Sequence, residues 1–152
     1  MEGQVPALGP WGQVEVAWAA GLFDGEGSVL IHRSAKGFIA ELKVDMVGGG
    51  EETIARLTRA LGGHARWYSR RDGSRVHRWR AHGVACAPIV EALLPHSTTK
   101  EAELRLLARF LASHRPGAYT DAERAACASL KDELEALRCS TKRKGSSSRP
   151  KS

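Results

Sequence analysis

The stretch AAGLFDGEGSV, Ala19 to Val29, constrains the fold more than any other part of the chain, because it packs two structural demands into eleven residues. Ala17, Gly21 and Gly25 fall four apart and share one helical face, where two backbones approach more closely than Leu or Ile would allow. The spacing predicts a helix seam, and Ala20 and Asp24 are placed in it as well. Gly25 and Gly27 are expected to end the helix, and a strand-like alternation begins at Ser28. Asp24 and Glu26 therefore sit at a helix-to-strand turn, where carboxylates are well placed to hold a hard cation.

Beyond this stretch the periodicity predicts a simple order. Gln13 to Gly25 favours a helix; Ser28 to Arg33 and Phe38 to Met46 form a hairpin around the turn SAKG, with Phe38, Ala40, Leu42 and Val44 opposing Ile39, Glu41, Lys43 and Asp45. Gly48 to Gly50 break the strand. Ile54, Leu57 and Leu61 then stripe a short helix that has acids in its first turn and Gly62 at its end. A second hairpin runs from His64 to Arg70 and from Arg75 to His82 around Asp72 to Ser74. Helices are predicted at Val84 to Leu94, Lys100 to Ser113 and Asp121 to Arg138, the last capped by Thr120. Two hairpins forming one four-stranded antiparallel sheet, backed on one face by helices, make an α+β fold. Residues 1–12, with Trp11 against the body, read as a flexible lead. Residues 13–138 form one domain, and 139–152 a basic disordered tail.

The net charge of +6 suggests a polyanion partner, but its distribution matters more than its sum. Six basic residues lie between Arg138 and Ser152, so residues 1–137 are formally neutral and the argument rests on local patches. Cys86, Cys127 and Cys139 lack paired short spacing for zinc and are read as reduced and inert. The apolar runs are too short to span a membrane. The first ten residues lack the features of a secretory signal, which predicts a cytoplasmic protein, or one in an organelle or nucleoid where its DNA lies. His77, His82 and His96 have no paired acid at a catalytic spacing, and GGG at 48–50 lacks the lysine of a phosphate loop.

The residues AAGLFDGEG resemble the signature of the LAGLIDADG homing endonucleases, with Ala19 for the first Leu, Phe23 for Ile, Gly25 for Ala and Glu26 for the last Asp. The likeness extends over roughly Val14 to Ser113, and the order of elements also matches the family core. A single copy of the signature implies a homodimer, whose twofold axis brings two Glu26 together. Like carboxylates repel unless a cation lies among them. The resemblance accordingly implies Mg²⁺ or Mn²⁺ held by Glu26 and the Gly25 carbonyl, and a basic role near the scissile phosphate for Lys100, five residues after Pro95. Asp24 is read as structural, accepting bonds from backbone amides.

The polar sheet face is the predicted platform for double-stranded DNA, built from Ser28, Leu30, His32, Ile39, Glu41, Lys43, Arg66, Tyr68, Arg70, Arg78 and Arg80. Six arginines against one acid between Gly63 and His82 support it, since arginine reads guanine bidentately and a β-ribbon fits the major groove. Arg33, Lys36, Arg70, Arg71 and Arg75, near the turns, are assigned to phosphates. Family members often carry a polar residue where this chain has Met46, and polar or basic residues where it has GGG. Two alternatives thus stand beside the nuclease: a DNA-binding protein that does not cleave, and an RNA maturase, for which few stacking aromatics are available.

Overall fold

Local sequence dictates the start of the architecture: a run of residues with apolar or small side chains on both flanks of a helix, then strict alternation. A computed structural model describes residues 12–113 and 119–146, excepting the side chains of 141–146. Helix α1 (Gly12–Glu26) leads directly into β1 (Gly27–Ser34), which turns through Ala35 and Lys36 into β2 (Gly37–Val47). Then come α2 (Glu51–Leu61), β3 (His64–Ser69), β4 (Arg75–His82), α3 (Cys86–Leu93), α4 (Glu101–Ser113) and α5 (Asp121–Ser146).

The sheet is antiparallel throughout, in the order β1-β2-β4-β3, so each hairpin stays intact and the two join through their return strands. Alternation sorts the side chains as expected. Val29, Ile31, Phe38, Ala40, Leu42, Val44, Trp79 and Ala81 enter one core with residues of α1 to α5. Trp79 is fully buried, meets Phe23 edge to face at 6.4 Å between ring centroids, and donates its indole N–H to the Gly62 carbonyl at 2.7 Å.

Gly27 explains how α1 can end and β1 begin without a loop. A Cβ on Gly27 would lie 2.5 Å from the Phe23 ring, so a side chain there would expel Phe23 from the core. A second clamp fastens α1 to α2: Arg56 donates two hydrogen bonds to Glu15, at 2.8 and 2.9 Å, and lies 4.0 Å over the Trp18 ring. At α5, the Thr120 N–H donates to Glu123 and the Glu123 N–H to the Thr120 hydroxyl, at 2.9 and 3.1 Å. This reciprocal pair is a capping box, and it confirms the cap expected at Thr120.

Several boundaries differ from the sequence reading. Helix α1 continues through Glu26 rather than stopping at Gly25, because helical bonding persists until β1 pairing takes over. The predicted helix 84–94 narrows to α3 between two 3₁₀ turns, Gly83–Ala85 and Leu94–His96. Pro95 ends it as expected. Helix α5 extends to Ser146, so residues 139–146 continue a helix rather than open a disordered tail. Its buried Cys127 and Leu134 anchor the helix, which packs on α4 and β1. The lead at residues 1–11, with Trp11, and the tail residues 147–152 lie outside the described residues. Among those described, no helix is long and apolar enough to cross a membrane.

Candidate active site and nucleic-acid interface

The two flanks of α1 have different fates. Val16, Ala19, Ala20 and Phe23 are buried in the core. Val14, Ala17, Gly21 and Gly25 are exposed, Val14 by 73%, and a Cβ built on Gly21 or Gly25 would meet nothing within 4 Å. Ala17, Gly21 and Gly25 thus form an open arc, as the seam requires. Ala20 is corrected: it lies about 60° around the helix from Ala17, toward Phe23, and serves the protomer's own core rather than a second chain.

Asp24 and Glu26, two residues apart, divide the expected roles. The Asp24 carboxylate accepts the backbone N–H groups of Thr98 and Lys100, at 2.9 and 3.0 Å. It thereby holds the N-terminal approach to α4, where unpaired amides favour a negative charge. These partners lie 74 and 76 residues on in the same chain, so Asp24, placed in the seam by the sequence, has its carboxylate engaged within the protomer. Glu26 ends α1 exposed, and no hydrogen bond or ion pair holds its carboxylate among the described residues. Asp24 consequently ties Lys100 to the turn that carries Glu26, and two residues far apart in sequence share one end of the fold.

Lys100 is mostly enclosed, with its side chain 16% exposed and its Nζ 3.7 Å from Glu103. Glu103 was not singled out by the sequence, because a glutamate in the first turn of a helix looks like an ordinary dipole partner. It is in fact buried, and burial raises its carboxyl above the usual range despite the opposing charges of Lys100 and Arg138. Burial also pushes the Cys86 thiol up to about 12, in agreement with an inert cysteine.

The other sheet face is polar, and the register sets its rows. Ser28, Lys43, Arg80 and His64 lie across from one another in sequence of pairing; Asp45, Arg78 and Arg66 form the next row, and Leu30, Glu41 and His82 another. Lys43 opposite Arg80, and Arg66 opposite Arg78, are like-charge cross-strand pairs, which destabilise a sheet unless anions compensate them. Internal acids compensate half of each pair. Asp45 accepts two bonds from Arg78, at 2.7 and 2.8 Å, and the guanidinium holds its carboxyl below the usual range. Glu41 accepts from Arg80 and lies 3.2 Å from His32.

This revises three expected contacts. Glu41, only 5% exposed, is a buried anchor rather than a surface contact, since Arg80 and His32 cover it. Arg78 and Arg80 have their forks engaged by carboxylates, and Arg78 also donates to the Tyr68 hydroxyl at 3.2 Å. Arg66 and Lys43 keep free ends among the described residues. Ser28, Leu30, His32 and Ile39 lie on the same face as predicted. Arg70 leaves the sheet: β3 ends at Ser69, and the Arg70 backbone closes the turn with Gly73 and Ser74. Arg33, Lys36, Arg71 and Arg75 are exposed at or beside strand ends, Arg75 stacked 4.1 Å from the centre of Trp67.

An antiparallel sheet with one helix-covered face, one basic face and a glycine-rich helix-to-strand turn at its end is the architecture of a known class: the chain has the LAGLIDADG homing-endonuclease fold. It resembles the homing endonuclease I-CvuI, solved in complex with the I-CreI target, at a TM-score of 0.70, with 21% identity and 82% of each chain covered. It is also similar to the homing endonuclease I-TnaI, at 0.61 with 16% identity, over 83% of this chain and 97% of that one. Against the LAGLIDADG homing endonuclease I-GzeII, solved with a DNA target, the TM-score is 0.56 and the identity 12%, over 81% of this chain and 43% of the other. No protein-family model and no curated protein sequence matches the chain.

Proposed function

We propose that the chain is a homodimeric, site-specific endonuclease that hydrolyses one phosphodiester in each strand of a roughly twofold-symmetric DNA site. The observation that carries this reading is the open arc of Ala17, Gly21 and Gly25 ending in an unengaged Glu26. A second copy packed on that arc brings two Glu26 to one axis, in whichever compartment holds the target DNA.

The donor set fits a hard divalent cation, since Glu26 offers a free carboxylate and Gly25 a backbone carbonyl beside it. Within one chain no group of three or more His, Cys, Asp or Glu residues gathers among the described residues, so the partner's carboxylate completes the proposed set. I-CvuI complexes were solved with 2 mM Mg and with 2 mM Ca. Bound Mg²⁺ or Mn²⁺ supplies the charge that makes a water acidic and stabilises the departing oxygen. The chain's own residues do the rest. Arg66, Lys43 and the turn arginines bind the duplex, Asp24 fixes the Lys100 backbone, and Lys100 offers its ammonium to the charge that develops on the phosphate.

A second reading, DNA binding without cleavage, is favoured by one feature. The turn from β2 to α2 is Gly48 to Gly50 beside a half-buried Met46, so it presents no polar side chain to organise water. Selection of cleaved sites from a randomised duplex library with Mg²⁺, using wild type and Glu26→Gln, separates the two. The nuclease reading expects cleavage by wild type alone. Enrichment of bound but uncut sites establishes the second reading, and cleavage by both proteins removes Glu26 from the chemistry.

A further inference from the structure

Two charged side chains are buried among the described residues, Glu41 and Glu103, and they are treated very differently. Glu41 is satisfied by Arg80 and His32. Glu103 is 3% exposed, and its Oε2 has no hydrogen-bond partner. A buried carboxylate left in this state is costly, and a neutral residue would serve packing better. The Lys100 ammonium, 3.7 Å from that oxygen, lies beyond hydrogen-bond reach but well within the range of strong attraction at a site so shielded.

We propose that Glu103 is a positioning residue for Lys100: its buried carboxylate anchors the ammonium by charge and holds it ready for a phosphate oxygen or a water. Asp24 fixes the lysine's backbone and Glu103 its side chain, so two acids hold Lys100 at the start of α4. Arg138 on α5 contributes a second positive charge to the Glu103 surroundings, which ties the placement to the docking of that helix. This anchoring accounts for the unpartnered Oε2 among the described residues. The assignment of the donors to phosphate rests on the nuclease reading, whereas the anchoring does not.

The test uses the full chain as wild type, Glu103→Gln, Lys100→Met and the double variant. The ¹⁵N–¹H resonance of the Lys100 ammonium, identified by its absence in Lys100→Met, is expected in wild type because exchange with water is slow at an enclosed, anchored amine. It should disappear in Glu103→Gln. On a selected duplex, Glu103→Gln should cut roughly 10- to 100-fold more slowly in a single turnover with unchanged DNA affinity. The double variant should cut no more slowly than Lys100→Met. A Lys100 resonance unchanged by Glu103→Gln, or additive losses in the double variant, overturns the proposal. If Glu103→Gln does not melt cooperatively, Glu103→Asp, which withdraws the carboxylate by one methylene, takes its place with the same expectations. A wild type that cuts nothing overturns the nuclease reading, and the ammonium resonance then decides the anchoring by itself.

Discussion

The inner and outer arcs of α1 are built from similar residues and do opposite things. Val16, Ala19, Ala20 and Phe23 turn inward and are buried, whereas Val14, Ala17, Gly21 and Gly25 turn outward and are exposed among the described residues. An outer arc that is apolar and small, rather than charged, is the feature on which the proposed second contact rests. The sheet repeats the contrast: its inner face closes around Trp79, and its outer face sets arginines and a lysine opposite one another. In both elements the inner side stabilises the fold, and the outer side is the one that the proposed function assigns to a partner. The difference teaches where to look for function, because a mutation on either side should move one observable and leave the other still.

The largest expected effect belongs to the end of the outer arc. Glu26→Gln should reduce cleavage by at least about a thousandfold, roughly 4 kcal/mol of barrier, with an unaltered melting temperature. A matching fall in stability would break the separation of the two sides. On the inner arc, Phe23→Ala should destabilise the fold by about 3–5 kcal/mol in denaturant titrations, since it empties a site packed against Trp79 and Gly27. Replacement of Gly21 by Leu should do the reverse. The protomer keeps or gains up to about 1 kcal/mol from helix propensity, while sedimentation reports loss of the dimer.

Smaller effects sharpen the reading of the outer sheet face. Arg66→Gln should lower DNA affinity for specific and random duplexes alike if it holds a phosphate, and should reduce the slope of log affinity against log salt by about 1. A change confined to one base position would assign it to base reading instead. The smallest effect comes from Asp45. Its carboxyl is held below the unfolded value near 3.8 by Arg78, so the stabilisation is present above that value and is lost as pH falls through the lower folded one. Asp45→Asn should therefore flatten the decline in melting temperature below about pH 4, by an amount on the order of 1 kcal/mol or less.

What the sequence made legible was whatever depends on neighbours in the chain. Period-two alternation sorted β1, β2 and β4, though not β3, which is exposed along nearly its whole length; spacing of four picked out Ala17, Gly21 and Gly25 as one exposed arc, and Thr120 marked a helix start. Contacts across long loops were not legible. Alternation put Glu41 on the outer face, where His32 and Arg80, the latter from a strand 39 residues on, cover it. Glu103 looked like a first-turn acid, and its burial came into view only in the folded chain. Gly27 read as a helix stop, although its sharper requirement is contact with the Phe23 ring. Asp24 was read as structural, yet nothing near it in sequence identified Thr98 and Lys100 as its partners.

The central claim is that the outer arc of α1 joins two chains and so brings two Glu26 together. Sedimentation equilibrium of the protein on its selected duplex tests it most directly. The account predicts a protein mass of twice the 16.5 kDa chain for each duplex. A single chain per duplex, with both strands cut, would contradict it.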